Sequence, residues 1–285
     1  MTRTIDKIIK SKPTIEGAGV HLKRAFGYNE VPLLDPFLLL DDFRSRNPDD
    51  YIAGFPWHPH RGIETVTYML EGTVEHGDSM GNKGIIRAGD LQWMTAGNGI
   101  IHQEMPKGIN GHMGGFQLWV NLPSSHKMME PRYREIKNED VKEVLIDKGI
   151  KIKVVSGEVG NIKGPVRDLV VDIEYLDVTI APGFAFKHKI MQGHKAFAYI
   201  IDGSGYFDPD NRVSIGKEHL VIFKDGENVK IKANDKELRF LLISGKPLGE
   251  PVAWNGPIVM NTREELEIAF EEYRNGTFIK STFSQ

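Results

Sequence analysis

Residues 54–106 read GFPWHPHRGIETVTYMLEGTVEHGDSMGNKGIIRAGDLQWMTAGNGIIHQEMP, and this stretch decides the fold. Two clusters of metal-binding side chains lie near its ends, His58-Pro59-His60 and His102-Gln103-Glu104. In each cluster the two candidate ligands are two residues apart, and that spacing points both side chains to the same face of an extended strand. Two strands that face each other inside a barrel would therefore direct three imidazoles and one carboxylate to a single point.

An isolated His-x-His pair is usually part of a solvated strand face, so one pair alone would not predict a metal site. Here turn signals separate the two pairs, at Gly89-Asp90 and at Thr95-Ala96-Gly97-Asn98-Gly99. These turns let the chain reverse and bring His102 back beside His58 and His60. Imidazole and carboxylate, without thiolate, suit a borderline divalent ion such as iron, manganese, nickel or zinc.

The composition is that of an ordinary globular protein, with 40% hydrophobic and 26% charged residues among 285. That length predicts two domains. The formal net charge of −3 gives no general attraction to nucleic acid or acidic lipid, so we expect no direct nucleic-acid contact. The chain has no cysteine, which excludes disulfides, thiolate metal sites and a cysteine nucleophile. Because no apolar run resembles a signal peptide or a membrane span, we expect no membrane association and a cytoplasmic location.

Short strands separated by turn signals predict an all-β fold of antiparallel barrels. After a buried apolar run at 33–43, the first half shows strand patterns at 64–71, 73–76, 84–87, 92–95, 100–105 and 115–121. The same pattern of short strands and turn signals recurs in the second half, at 150–158, 170–180, 196–201, 205–207, 220–223, 229–233 and 238–245. The recurrence predicts a tandem duplication, with domains at 1–130 and 131–285.

One long helix is predicted near the C-terminus, and we expect it to pack against the second barrel. Thr262 is a good N-cap, and Glu264 and Glu265 in the first turn suit the helix dipole. The expected apolar face comprises Leu266, Ala269, Phe270 and Tyr273.

The second barrel is predicted to lack a metal site. Phe186-Lys187-His188-Lys189 stands where His-x-His would be expected, and the segment 223–228 brings no histidine. His188 and His194 have no partner at ligand spacing, so we interpret both as structural. The metal is therefore expected in the first barrel alone.

The remaining candidates have no partner at ligand spacing. His76, His112 and His126 are predicted to be surface or turn histidines. Four large side chains are expected around the barrel interior, and one or two of them are expected to line a pocket for a planar ligand: Trp93, Met94, Phe116 and Trp119.

The opening stretch resembles the two motifs of the cupin barrel. Its first motif matches Gly54, His58, His60, Glu64 and Gly72; its second matches residues 89–102, without the proline that usually precedes that turn. More closely, HPHRGIETVTYMLEG, GDLQWMTAGNGIIHQEMP and GGFQLWVNLP are similar to blocks of the pirin family. LLDPFLLLDDF and EPVAWNGPIVMNTREELEIAFEEYRNG extend the resemblance over nearly the whole chain. It implies a bicupin: two tandem antiparallel cupin barrels, jelly-roll-like, with a short C-terminal helix.

The resemblance also implies a ligand set. Pirins are taken to hold their metal through the two histidines of HPH and the histidine and glutamate of H-x-E, here His58, His60, His102 and Glu104. Cupins in general use the glutamate of the first motif as a ligand. Glu64 has the same strand parity as His58 and His60, so we expect it to support the ligands or to face the substrate. Glu104 is expected to act both as ligand and as proton acceptor.

Two functions of different classes follow from the resemblance. Bacterial pirins imply a non-haem iron(II) dioxygenase of the quercetin 2,3-dioxygenase type, which cleaves a planar phenolic flavonol with O2; manganese, nickel, zinc and copper are alternative ions. Eukaryotic pirins imply instead a co-regulator whose metal responds to redox state and which binds a partner protein without turnover. A catalytically silent zinc barrel is a third interpretation.

Overall fold

The fold was determined from a computed structural model that describes residues 1–210 and 212–280. In these residues the fold is mostly antiparallel β-structure with one α-helix, as predicted. The first twelve strands are β1 Ile5–Lys10, β2 Lys12–Glu16, β3 Val20–Phe26, β4 Phe37–Asp42, β5 Phe55–His60, β6 Ile63–Glu71, β7 Thr73–Asp78, β8 Lys83–Arg87, β9 Leu91–Thr95, β10 Ile100–Lys107, β11 Gly114–Asn121 and β12 Arg132–Ile136.

The later strands are also short. They are β13 Lys142–Ile146, β14 Ile150–Ser156, β15 Glu158–Val159, β16 Ile162–Lys163, β17 Ile173–Ile180, β18 Ala185–Lys189, β19 Lys195–Asp202, β20 Ser204–Tyr206, β21 Ser214–Gly216, β22 His219–Phe223, β23 Asn228–Ala233, β24 Leu238–Gly245, β25 Ala253–Asn255 and β26 Ile258–Met260. The helix α1 spans Arg263–Arg274. No helix in the described parts of the chain is long and apolar enough to cross a membrane.

The chain divides into two compact units. The larger unit comprises Pro13–Leu33, Phe37–Asn138 and the residues from Leu248 onward. It contains a seven-stranded sheet, ordered β12-β9-β6-β11-β4-β3-β2, a four-stranded sheet, ordered β5-β10-β7-β8, and the hairpin β25-β26. Its buried apolar side chains include Leu38, Ile63, Met94 and Ile100.

The smaller unit comprises Met1–Lys12, Leu34–Pro36 and Glu139–Pro247. Its sheets are ordered β1-β22-β19-β24-β17-β14-β13 and β18-β23-β20-β21, with the hairpin β15-β16. Each of the strands β4 to β11 in the larger unit corresponds to the strand thirteen places further along the chain in the smaller unit, and β2 and β3 correspond to β13 and β14. The edge strands β12 and β1 take the same position in the two seven-stranded sheets. This identical order explains the recurrence seen in the sequence. Strand β12 was not predicted, because its sequence RYREI lacks apolar alternation.

A single division at residue 130 does not describe these units. Strand β1 pairs with β22 in the smaller unit, where it covers backbone groups that an edge would leave unpaired. Helix α1 belongs to the larger unit, so the expected packing against the second barrel is corrected. Leu266 and Ala269 of the helix bury against Ile258 and Met260 of β26. Burial of these apolar side chains therefore places helix α1 in the larger unit.

The start of α1 is as predicted. The Thr262 hydroxyl accepts a hydrogen bond from the Glu265 backbone N–H at 3.2 Å, and the Glu265 carboxylate accepts one from the Thr262 N–H at 3.0 Å. These reciprocal bonds form a capping box, which satisfies donors that a helix leaves unpaired at its N-terminus. The two glutamates of the first turn also suit the helix dipole.

Candidate metal centre

Strands β5 and β10 bring the two predicted clusters together. They are antiparallel neighbours in the four-stranded sheet, with His102 opposite His58 and Ile100 opposite His60. The sequence had suggested two strands facing each other across a barrel, whereas the structure places them side by side. An i,i+2 pair on one strand and a residue directly opposite it share a face of the sheet.

Three imidazoles form a compact group on this face. The ring centroids of His58 and His102 are 4.4 Å apart, and those of His60 and His102 are 5.1 Å apart. One ring nitrogen from each residue lies within 4.8 Å of the other two. His60 and His102 are buried, whereas His58 is half-buried. Among the described residues this is the one such group of histidines and carboxylates.

The hydrogen bonds at the outer ring nitrogens define which nitrogens face inward. His58 Nδ1 donates to the Pro56 carbonyl at 2.8 Å, and His60 Nδ1 donates to the Pro257 carbonyl at 3.1 Å. A carbonyl can only accept, so each Nδ1 carries the proton and each neutral ring presents an Nε2 lone pair. The two Nε2 atoms are 3.1 Å apart. Two lone pairs at that distance repel each other unless a cation lies between them.

The surroundings of His60 and His102 favour their neutral forms. Burial, and then the proximity of His58, holds the pKa of His60 well below its ordinary value of 6.5. Burial followed by the neighbouring histidines does the same to the pKa of His102. Neither ring nitrogen of His102 has a hydrogen-bond partner among the residues that the structure describes, although both are buried. Neutral imidazoles with an unsatisfied buried nitrogen fit a divalent metal ion.

Glu104 lies beside the histidines but outside their tight group. It is buried on β10, two residues after His102, and a register shift follows His102 because β5 contains one extra residue there. The Thr67 hydroxyl lies 2.8 Å from Gln117 Oε1 and 3.2 Å from Glu104 Oε1, and the Gln117 side-chain amide donates to Glu104 Oε2 at 3.4 Å. Thr67 and Gln117 are cross-strand neighbours on β6 and β11. The sequence analysis did not identify these two orienting residues.

Glu64 lies away from this group. Its fully buried carboxylate accepts a hydrogen bond from the Thr95 hydroxyl at 2.6 Å. Alternation along β6 puts Glu64 on the opposite face from Thr67, which lines the cavity. The strand parity that linked Glu64 to His58 and His60 does not continue across Gly62, because its φ of +77° interrupts the extended backbone between β5 and β6.

Other histidines have different surroundings. His76 was expected at the surface or in a turn, but its side chain is 1% exposed on β7, stacks on Tyr133 and bonds to Glu135 at 2.9 Å. In the smaller unit His188 bonds to Glu174 at 2.9 Å and stacks on Phe186. No ligand group is found there among the described residues. Strand β23, which corresponds to β10, has the sequence NVKIKA without histidine.

A cavity of about 830 Å³ in the larger unit is lined by His58, His60 and Glu104, among other residues. Its wall contains a series of aromatic rings that begins at His60. Trp119 lies 5.1 Å from His60, Trp254 lies 5.9 Å from Trp119, and Tyr28 lies 5.6 Å from Trp254, all between ring centroids. Trp119 was among the expected pocket residues, whereas Trp93 and Phe116 are fully buried. The Gly256-Pro257 pair, a turn signal, could have indicated that residues 253–260 form a hairpin.

The fold and the site define a bicupin whose larger unit contains a histidine cluster suited to a divalent metal. The family model Pirin matches residues 19–120, and the model Pirin C-terminal cupin domain matches residues 175–279. The chain therefore belongs to the pirin family.

Individual relatives agree over nearly the full length. A pirin-like protein of Caulobacter vibrioides is 43% identical over 278 residues, which cover 97% of this chain and 99% of that protein. Human pirin is 43% identical over 271 residues, covering 94% and 91%. The crystal structure of a quercetin 2,3-dioxygenase from Acinetobacter baumannii is similar with a TM-score of 0.90 at 31% identity, covering 98% of this chain and 99% of that one.

Proposed function

We propose that the protein binds one divalent ion, iron(II), through His58, His60, His102 and Glu104, and cleaves flavonols such as quercetin with O2. The observation that carries this proposal is the compact group of three imidazoles, whose ligand nitrogens lie within 4.8 Å of one another, beside a cavity of about 830 Å³. The likeness to a quercetin 2,3-dioxygenase supports the substrate class. Manganese, nickel, zinc and copper are the alternative ions.

An iron(II) ion held by these four side chains would supply Lewis acidity and redox chemistry with O2. The remaining contributions come from the chain itself. Glu104 accepts the proton of a flavonol hydroxyl, and Thr67 and Gln117 keep its carboxylate turned towards the cavity. The faces of Trp119 and Trp254 offer stacking surfaces for a planar polyphenol.

Oxygen uptake with quercetin, normalised to bound iron, tests the proposal. Glu104→Gln keeps the shape of the side chain but removes its basicity, so we expect about a hundredfold slower turnover with a measurable share of iron retained. Glu75→Gln is the matched control, because Glu75 lies on the neighbouring strand β7 and pairs with Lys107 at the surface. The control should match the wild type.

Two results would contradict parts of the proposal. A wild type that consumes no more O2 than free iron would end the enzymatic interpretation. A Glu104→Gln variant as fast as the wild type per iron would leave Glu104 without a role as base.

A non-enzymatic, metal-responsive protein that binds a partner protein is the second candidate function. The exposed aromatic side chains at the cavity rim favour it, since Trp57 is 52% and Tyr28 67% exposed. Full metal occupancy without flavonol-dependent O2 uptake would favour this candidate over the dioxygenase. The cytoplasmic location expected from the sequence belongs to the same proposal, and cell fractionation tests it.

A further inference from the structure

The hairpin β25-β26 supplies the group that orients His60. The Pro257 carbonyl, at the turn of this hairpin, accepts the hydrogen bond from His60 Nδ1. Such a bond fixes the tautomer and the orientation of an imidazole. A carbonyl more than 190 residues away in sequence can do this only if the hairpin is held firmly against the strand that carries His60.

The residues immediately after His60 are bonded to β26. The Val259 N–H donates to the Arg61 carbonyl at 3.1 Å. The buried Lys127 Nζ then bridges both sides, bonding to the Gly62 carbonyl at 2.9 Å and the Val259 carbonyl at 3.0 Å. Its third bond goes to Asn121 Oδ1 at 2.7 Å. One ammonium group therefore connects the end of β5 to the hairpin.

Glycine at position 62 permits this close approach. Its φ of +77° disfavours other residues, and a Cβ built there would lie 2.0 Å from the Val259 carbonyl oxygen. Any larger residue would push β26 away from the end of β5.

Arg61 fixes the segment that follows the hairpin. Its side chain, 2% exposed, donates to Glu272 Oε2 of α1 at 2.7 Å and to the Phe278 carbonyl at 2.9 Å. The guanidinium carbon also lies 4.2 Å from the centre of the Phe278 ring. Such charge-assisted and cation–π contacts are strong when they are buried.

We propose that Lys127 and Arg61 are positioning residues for the metal centre. Lys127 holds the hairpin against residue 62 directly, and Arg61 holds the segment that follows the hairpin. Together they keep the Pro257 carbonyl where it directs His60 Nε2 towards His58 and His102. This inference rests on the proposed metal-binding role of His60. It assigns to the C-terminal segment a direct part in the affinity of a site formed by the first half of the chain.

Cobalt(II) is the probe, because its d–d absorption reports ligand geometry and does not depend on any catalytic activity. We would measure its dissociation constant by chelator competition for the wild type, Lys127→Met and Arg61→Met. Both variants should bind cobalt(II) about tenfold more weakly, with an altered d–d spectrum. The matched control is Arg239→Met, which breaks a bidentate pair with buried Asp177 in the smaller unit. It should lower the melting temperature but leave the dissociation constant unchanged.

Affinities and d–d spectra equal to the wild type in Lys127→Met and Arg61→Met would overturn the inference, as would an equal loss in Arg239→Met. If circular dichroism shows that Lys127→Met fails to fold, Asn121→Ala replaces it, because it removes one acceptor of the Lys127 ammonium, and unchanged affinity would overturn the role of Lys127. If Arg61→Met fails to fold, Glu272→Ala replaces it. Glu272 is 23% exposed, and its loss should weaken cobalt(II) binding about threefold; unchanged affinity would overturn the role of Arg61. A wild type that does not bind cobalt(II) would refute the proposed metal site itself. Failure of the metal site is thereby distinguished from failure of the positioning role of Lys127 and Arg61.

Discussion

Lys127 should make the stability of the folded protein depend on pH above neutrality. Burial lowers the pKa of this side chain from 10.5 to about 7, against the opposing influence of Glu250 and Glu265. In the unfolded chain the lysine keeps its ordinary pKa, so between these two values the unfolded state binds more protons. Stability therefore rises with pH through this window, and the protonated lysine disfavours folding most below pH 7.

The structure sets the size of the effect. One pKa unit corresponds to about 1.4 kcal/mol, so the shift from 10.5 to about 7 amounts to about 5 kcal/mol over the full window. Between about pH 7 and pH 9 the expected gain in the free energy of unfolding is about 2 kcal/mol, because the folded-state lysine is still half protonated at pH 7. The three oxygen acceptors around Nζ favour the ammonium form and oppose this shift.

Urea unfolding of the wild type and of Lys127→Met across this pH range isolates the contribution, because other titrating groups are common to both proteins. The difference in the free energy of unfolding, wild type minus variant, should increase by about 2 kcal/mol. A difference that stays constant with pH would refute the reasoning and show that the three acceptors compensate for burial.

Three further outcomes are expected. Elemental analysis after reconstitution with iron should find one metal per chain; two, or none, would contradict the assignment to the larger unit alone. His60→Ala should abolish metal binding but keep the far-ultraviolet circular dichroism spectrum, because the barrels have apolar cores of their own, and loss of that spectrum would make the metal structural. Thr262→Ala should lower the free energy of unfolding by about 1 kcal/mol in urea denaturation, since it removes the helix cap; Thr277→Ala, outside the helix, is the control.

Local patterns in the sequence were sufficient for several features. The i,i+2 spacing of His58 and His60 predicts a shared strand face because alternation is a property of the extended backbone itself. Thr262 and Glu265 predict the start of α1 because both bonds of a capping box are formed within four residues. Likewise, turn signals and short apolar runs predicted most strands of both units, together with their duplication.

Other features depended on residues far apart in the chain. Glu64 shares the parity of His58 and His60 in sequence, yet the positive φ of Gly62 turns its carboxylate to the other face of β6. His76 has no neighbouring signal for burial, because Tyr133 and Glu135 reach it from the edge strand β12.

The tertiary structure alone decided how the histidine cluster is completed. The Pro257 carbonyl that orients His60, the Lys127 ammonium that bridges Gly62 and Val259, and the place of α1 in the larger unit all depend on long-range packing. A backbone carbonyl has no side-chain identity that a sequence pattern could reveal. Its role arises only where burial leaves an imidazole nitrogen that needs an acceptor, and the folded chain brings one within hydrogen-bonding distance.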